Sequence, residues 1–258
     1  MSGTFKIIPV LDLMGGVVVR GVRGERAKYK PVQSALSPTA DIYDVAVAFS
    51  QRYGFREFYI ADLDAIMSGG EQAHFELLQR LRERLPGLSF MVDAGAGNAE
   101  RAAYVLKNGA DKVIVGTETL SSLKDWAKIT GAVPQGGIIA SIDSYKGGVL
   151  SACGEITRLS PAQVVRTLCG EPVHECILLS LAQVGTKKGL DQRLILDCAQ
   201  AASEKQGSLF FGGGVSSLED LRWLAANGVS GALVASIFHD APPEPEEIWK
   251  ITGVPNHD

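Results

Sequence analysis

The sequence predicts an α/β fold, a single (βα)₈ barrel of the TIM type built from two half-barrel repeats, and three observations support this prediction. The chain has 258 residues, and such barrels typically need about 250. Short apolar runs alternate with amphipathic stretches, which is typical of a parallel sheet covered by helices. Similar segments also recur in the two halves of the chain, as an internal duplication would produce.

Eight short apolar runs rich in β-branched residues are the predicted strands. They lie at 6–11, 57–61, 89–92, 112–115, 137–142, 176–180, 208–211 and 231–235. Helical spacing of apolar residues predicts helices between them, among others at 42–53, 71–85, 100–109 and 217–228. A Pro-rich turn in "DAPPEPEEIWK" leads into a short last helix. Eight βα units in one domain of this length favour a closed barrel, with an open doubly wound sheet as the alternative.

The internal repeat is visible in several pairs of segments. "VLDLMGGVVV" at 10–19 and "SIDSYKGGVL" at 141–150 share an apolar run, an Asp and a Gly-Gly pair. Later in each half, "LKNGADKVIVGT" at 106–117 matches "LAANGVSGALVAS" at 224–236, and "VDAGAG" falls opposite "FFGGGV". Matches in the same order in both halves predict a single domain over 1–258, with half-barrels at about 5–131 and 132–252.

Composition narrows the classes of partner. Hydrophobic residues make up 46% of the chain, and the net charge of −4 comes without a basic stretch, which argues against nucleic acid or an anionic membrane as a partner. The sequence has no apolar run of membrane-spanning length, and its start lacks the apolar segment of a signal peptide. The four cysteines form no C-x-x-C pair, so we expect reduced, mostly buried thiols in a cytoplasmic protein.

Two aspartates follow the first and fifth predicted strands. The carboxyl ends of the strands of such a barrel meet at one mouth, where the chemistry takes place. Asp12 and Asp143 would therefore face each other across this mouth. Opposed carboxyl groups can act on two sides of one substrate, one donating a proton and the other removing one, if their pKa values differ. The alternative is that each carboxylate caps a turn or pairs with a lysine.

Glycine-rich turns after the third, fourth, seventh and eighth strands predict phosphate sites. Glycines let backbone N–H groups approach a phosphate, and a following helix N-terminus favours the anion. The candidates are Gly213, Gly214, Ala235 and Ser236 on one side of the mouth, and Gly95, Gly97, Gly116 and Thr117 on the other. Two such sites with an acid and a base between them suit a two-ended phosphorylated substrate. The alternative is that these glycines only form tight turns.

"KIIPVLDLMGGVVVRG", "YIADLDAI", "VIVGT" and "GGGVSS" resemble the histidine-biosynthesis barrels over roughly residues 6–240. These barrels are the phosphoribosylformimino-AICAR-phosphate (ProFAR) isomerase and the cyclase subunit of imidazole glycerol phosphate synthase. The resemblance implies an Amadori rearrangement of an aminoaldose to an aminoketose without a cofactor. It places the catalytic pair at Asp12 and Asp143 and a hydroxyl at Ser180, where the isomerase usually has threonine.

The chain also departs from both sister enzymes. The third strand should end in a Gly-Gly-Gly-hydrophobic-Arg turn but reads "VDAGAGN", so Asp93 would place a negative charge beside the expected phosphate and no arginine is available. The tryptophan expected in the loop after the fifth strand is absent. This mixture resembles a third, ProFAR-isomerase-related group of methanogens and methylotrophs. That resemblance implies a paralogous role, outside histidine biosynthesis itself, in tetrahydromethanopterin-linked one-carbon metabolism.

Three functional hypotheses follow. The first is a ProFAR-isomerase-like enzyme that acts by acid–base catalysis on a phosphorylated, ribose-derived substrate. The second is a cyclase-like enzyme, which would need ammonia from a docked glutaminase. The third is a non-catalytic phospholigand-binding protein, which the presence of both aspartates argues against. The sequence is compatible with an oligomer.

Asp62 and Asp64 are expected near the mouth with the other carboxylates. Five carboxylates there could hold Mg²⁺. Ion pairs with nearby cations are the favoured alternative, so no metal is expected; the candidate cations are Arg20, Lys146, Lys187 and Lys188. His239 follows the eighth strand and is expected either to line the pocket or to lie behind the residues that do.

Overall fold

The computed structural model of the chain describes residues 4–22, 24–184 and 189–253. Eight parallel strands close into a barrel, which confirms the predicted fold class and excludes the open sheet. The strands are β1 (Lys6–Met14), β2 (Glu57–Asp62), β3 (Ser89–Asp93), β4 (Lys112–Gly116), β5 (Ile138–Tyr145), β6 (Glu175–Ser180), β7 (Ser208–Gly212) and β8 (Gly231–Val234). Each strand pairs with the next, and β8 pairs with β1 from Lys6↔Gly231 to Pro9↔Val234, which closes the barrel.

Helices surround the barrel and connect its strands. They are α1 (Ile42–Tyr53), α2 (Leu63–Met67), α3 (Phe75–Arg84), α4 (Ala99–Lys107), α5 (Leu123–Ala132), α6 (Pro161–Leu168), α7 (Gln192–Glu204), α8 (Leu218–Ala226), α9 (Ser236–Asp240) and α10 (Pro245–Thr252). The predicted helix at 71–85 begins only at Phe75. None of the described helices is both long and apolar enough to cross a membrane.

Alternation along the strands divides the core into two layers. The side chains of Tyr59, Met91 and Phe210 point into the barrel and belong to one packed cluster there. The adjacent Phe58 and Phe211 lie on the opposite face, between the barrel and its helices. The four cysteines are buried and form no disulfide. The interior is therefore filled with side chains, and open space is left at the mouth.

The repeated Asp–Gly-Gly segments form two equivalent hairpins. β1 runs beyond the barrel to Met14, turns at Gly15–Gly16 and returns as Val17–Arg20. β5 turns at Lys146–Gly147 and returns as the short strand Gly148–Val149. Both central residues of each turn have positive φ, as two-residue hairpin turns of type I′ require. The repeat is visible in the sequence, whereas the hairpins are not predicted by it.

The later segments of the repeat also match in backbone geometry. Asn98 caps α4 with φ −147° and ψ 168°, and Ser217 caps α8 with φ −147° and ψ 162°. Each side chain accepts the N–H of the residue three positions later. Similar caps at equivalent places support the proposed duplication. The boundary between the two half-barrels near residue 131 stays a prediction.

Candidate active site

A pocket of about 420 Å³ opens at the carboxyl ends of the barrel strands. Asp12 on β1 and Asp143 on β5 both line it. Three strands lie between β1 and β5 in either direction around the closed barrel, so the two carboxyl groups enter the pocket from opposite sides. The other predicted site residues that line this pocket are Gly116, Gly213, Ala235 and Ser236.

Asp143 is held by a network from β4 and β5. Its Oδ2 accepts the Glu118 N–H at 3.1 Å, and its Oδ1 lies 3.3 Å from the Ser141 hydroxyl, which donates to it. Thr117 Oγ1 accepts the Asp143 N–H at 3.0 Å, and its own hydroxyl donates to the Leu150 carbonyl at 2.7 Å. Thr117 is fully buried. Thr117, which the sequence predicts to bind phosphate, therefore orients Asp143 instead.

Asp12 has a less polar setting. No hydrogen bond to its carboxylate is found among the described residues, and Gly21 packs against it so closely that a Cβ there would lie 2.9 Å from Asp12 Oδ2. Val184 and the Tyr29 hydroxyl lie around the same point. Burial raises the pKa of Asp12 to about 7, and the positive charge of Arg26 opposes this rise.

Two more acidic groups in the pocket are perturbed in the same direction. Burial, and then the neighbouring charge of Asp93, raises the pKa of Asp143 to about 7. Burial raises the pKa of Asp93 to about 6, although the Gly95 N–H stabilises its charged form. Carboxyl groups with pKa values near neutrality exchange protons readily at physiological pH, so perturbed groups in one pocket mark a candidate site of acid–base catalysis.

The expectation that no arginine is available near the turn after the third strand is wrong. Arg26, from the segment after the first hairpin, lines the pocket and pairs with Glu118 at 3.3 Å. Arg101 on α4 also approaches this turn, with its Nε 3.4 Å from the Ala94 carbonyl. Arg26 is more than sixty residues away from the turn in sequence, so only the folded barrel reveals its place.

The remaining predicted glycines and Ser180 lie behind the pocket wall. A Cβ on Gly97 would lie 2.6 Å from the Thr119 carbonyl, and one on Gly213 would lie 2.3 Å from the Ser180 carbonyl. Gly95 and Gly214 both have positive φ, and a Cβ on them would lie 3.2 Å from Ile66 Cα and 2.9 Å from Gln183 Cβ, respectively. Gly95, Gly97, Gly214 and Ser180 do not line the pocket. The three glycines allow neighbouring loops to approach closely.

Asp62 and Asp64 do not join the other carboxylates, which corrects the expectation of a five-carboxylate mouth. His74 lies between them, with Nδ1 3.1 Å from Asp62 Oδ1 and Nε2 3.5 Å from Asp64 Oδ2. Backbone N–H groups donate to the same carboxylates, from Ala65 at 3.0 Å and from Gly15 at 2.6 Å. The cluster joins the first hairpin to α2 and α3.

The predicted ion pairs of the mouth are also different. Arg20 makes a two-pronged pair with Asp240, with both N–O distances 2.6 Å, and Lys146 lies over the Tyr145 ring. Lys187 and Lys188 lie outside the described residues. His239 lines the pocket, and burial lowers its pKa to about 4, so the imidazole is neutral.

Sequence comparison agrees with this architecture. The chain matches the family model described as histidine biosynthesis protein over residues 6–242. It is 29% identical to an uncharacterized protein of Methanocaldococcus jannaschii, over 94% of this chain and 97% of that protein. It is 31% identical to a 1-(5-phosphoribosyl)-5-((5-phosphoribosylamino)methylideneamino)imidazole-4-carboxamide isomerase of Gemmatimonas aurantiaca, over 90% and 92% of the two chains. A Myxococcus xanthus isomerase of the same name is 29% identical over the same shares.

Proposed function

The chain belongs to the histidine biosynthesis protein family, and from this premise we propose that it is an isomerase of the aldose–ketose type that acts on a phosphorylated, ribose-derived substrate. One observation carries the proposal. Asp12 and Asp143 enter one pocket from opposite strands, and both have pKa values raised to about 7. Two such groups can give and take a proton in the same turnover. The relatives named as isomerases support the same reaction class.

The surroundings of the two aspartates assign their roles. Asp143 lies beside the charge of Asp93, and like charges favour retention of a proton, so Asp143 is the acid. Asp12 feels the positive charge of Arg26, which favours its ionised form, so Asp12 is the base. In an Amadori rearrangement Asp143 would protonate the furanose ring oxygen, which opens the ring to a Schiff base. Asp12 would then remove the C2 proton to give an enaminol, which becomes the aminoketose when C1 gains a proton and the C2 hydroxyl loses one.

The phosphate of the substrate is assigned to the β7–β8 side. Gly213, Ala235 and Ser236 line the pocket there, and the pocket-lining acids with raised pKa values come from β1, β3 and β5. Glycine backbone allows close approach of N–H groups to the anion. We place the pathway in tetrahydromethanopterin-linked one-carbon metabolism, outside histidine biosynthesis, on the strength of the sequence resemblance.

The test combines genetics with active-site variants. We expect the wild-type gene not to restore growth of a histidine auxotroph that lacks ProFAR isomerase. A strain deleted for the gene should accumulate a phosphorylated aminosugar-type metabolite, which the purified protein consumes. With that substrate, Asp12→Asn and Asp143→Asn should each lower kcat by about 10²–10⁴-fold. The double variant should be little worse than the worse single variant, because the two groups act in one reaction.

Two results would contradict the proposal. One is full turnover by folded Asp12→Asn protein, which would remove Asp12 from the chemistry. The other is accumulation of no phosphorylated metabolite in the deletion strain together with tight binding of a phosphorylated ligand, which would favour a non-catalytic binding protein. Circular dichroism of each variant provides the check that the barrel is folded.

A further inference from the structure

The pocket is acidic at the end formed by β3 and β4. Asp93 and Asp143 both approach Gly116, where a Cβ would lie 3.8 Å from Asp93 Oδ2 and 3.1 Å from Asp143 Oδ2. Asp93 Oδ1 accepts the Gly95 N–H at 3.1 Å, whereas Asp93 Oδ2 has no hydrogen-bond partner among the described residues. Glu118 lines the same end. A second phosphate placed here would lie next to carboxylates, and negative charges in close contact repel each other strongly.

Tyr59 adds an independent indication of a ligand at this end. Its side chain points into the barrel, lines the pocket and is only 4% exposed. The hydroxyl has no hydrogen-bond partner among the described residues. Burial and the charges of Asp93 and Asp143 raise its pKa well above 10, so it stays a neutral donor and acceptor. The ring of Tyr59 is thus held in place by burial, while its unpartnered hydroxyl is open to the pocket, where a polar group of a ligand can hydrogen-bond to it.

Arg26 does not convert this end into an anion site. Its guanidinium pairs with Glu118, with both carboxylate oxygens at 3.3 Å. The cation is thus shared among several carboxylates, whereas a phosphate site needs donors that are free to face the anion. The donors still missing here are those that would satisfy Asp93 Oδ2 and the Tyr59 hydroxyl.

We propose that the acidic end, defined as Tyr59, Asp93 and Glu118, binds a nitrogenous group that carries N–H donors, of the amine or amidine class, in place of a second phosphate. The substrate is then a monophosphate with its phosphate at the β7–β8 side and its N–H donors at β3–β4. Carboxylates form short, charge-assisted hydrogen bonds with such donors. This inference rests on the proposed function for the location of the phosphate.

Equilibrium binding of three probes by calorimetry tests it, at pH 8 and with EDTA to remove bridging metals. The probes are ribose 5-phosphate, 5-aminoimidazole-4-carboxamide ribonucleotide, which adds N–H donors, and ribulose 1,5-bisphosphate, which adds a second phosphate. We expect the ribonucleotide to bind at least about tenfold more tightly than ribose 5-phosphate, the gain typical of a hydrogen bond to a charged group. The bisphosphate should bind no more tightly than ribose 5-phosphate.

Variants then assign the preference to residues. Asp93→Asn should remove most of the ribonucleotide's advantage and increase affinity for the bisphosphate. Tyr59→Phe should weaken ribonucleotide binding and leave ribose 5-phosphate unchanged. Asp125→Asn on α5 removes one partly exposed negative charge outside the pocket and serves as the matched control, with no effect on any probe.

The opposite order of affinities would overturn the inference: a bisphosphate that binds about tenfold more tightly than ribose 5-phosphate, with no response to Asp93→Asn. Absence of binding by all three probes would overturn it together with the assigned phosphate site. Because the readout is binding of probes to the wild-type protein and not turnover, failure of the catalytic roles assigned to Asp12 and Asp143 would leave this result unchanged.

Discussion

At the scale of single residues, the carboxyl group of Asp12 is held where its charge is disfavoured. Its pKa is raised from 3.8 to about 7 by burial. A carboxyl group whose pKa is higher in the folded than in the unfolded state lowers stability as pH rises between those two values. The group that we assign as the catalytic base therefore costs the protein stability at neutral pH, which is common at active sites.

Asp12→Asn should make the protein more stable at pH 8, because asparagine keeps the shape of the side chain and cannot ionise. We expect Tm to rise by a few degrees at pH 8 and most of the gain to be lost near pH 4, where the wild-type carboxyl is protonated in the folded state and about half protonated in the unfolded state. Differential scanning calorimetry at both pH values measures this. A fall in Tm at pH 8 would instead indicate that Asp12 is a structural cap.

Arg26→Met should shift the pH dependence of the reaction. Arg26 lowers the pKa of Asp12, so its removal should raise that pKa and move the acidic limb of kcat/KM to higher pH. Activity should then fall more at pH 6.5 than at pH 8.5. Lys28→Met, which removes a neighbouring cation that does not line the pocket, is the matched control. Equal loss at both pH values would show that Arg26 acts by binding substrate.

Sequence reasoning located the site residues that follow a strand directly and missed those contributed by distant segments. Asp12 and Asp143 were predictable because strand ends of a barrel must meet at one mouth. Arg26 and Tyr59 were not: the first lies in an irregular segment, and the second has the pattern of an ordinary core residue. Thr117 was assigned to phosphate, because a sequence cannot show which way a hydroxyl at a strand end turns.

At the scale of elements, the turn after β7 depends on close packing against β6. Gly213 has φ +98°, and a Cβ would lie 2.3 Å from the Ser180 carbonyl. Backbone atoms cannot move aside as the end of a long side chain can, so this glycine sets the distance between the two loops. That contact fixes the β7 side of the proposed phosphate site.

Gly213→Ala should destabilise the barrel by several kcal/mol, since it combines left-handed strain of about 1–2 kcal/mol with a backbone clash. Gly228→Ala is the matched control, because Gly228 has φ +79° and open space around its Cβ position. It should cost only the conformational strain. Urea denaturation of both variants separates the two contributions. Equal losses in the two variants would mean that the loops around Ser180 move apart easily.

The pattern of strands and helices was predicted well, and the hairpins were not. Apolar runs and helical spacing depend on which side chains are buried, and the pattern of apolar residues in the sequence shows this directly. The Gly-Gly pairs indicated only that the backbone turns. In the second hairpin the first turn residue is Lys146, with φ +52°, a backbone conformation that a lysine in the sequence does not predict. The antiparallel return depends on pairing with residues on the far side of the turn.

At the scale of the whole molecule, two similar half-barrels form a pocket with two different ends. Asn98 and Ser217 cap equivalent helices with almost the same backbone angles. The strands before these caps end differently, in Asp93 on one side and Gly212 on the other. Two similar backbones therefore present different charges at the two ends of one pocket, and under the proposed function this would give the substrate a single orientation between Asp12 and Asp143.

The last prediction follows from this asymmetry. In crystals soaked with phosphate, we expect one anion, held by the backbone at Gly213, Gly214, Ala235 and Ser236, and none beside Asp93, since a dianion next to an ionised carboxylate is repelled. In Asp93→Gly, which introduces the residue found at the equivalent place on the other side, a second anion should appear in the pocket beside position 93. Asn98 and Ser217 begin their helices with nearly the same backbone angles, so the helix N-terminus on the β3 side is oriented like its counterpart, and we expect removal of the Asp93 charge to admit the anion. An anion in the wild-type protein only on the β3 side would reverse the ranking of the two ends.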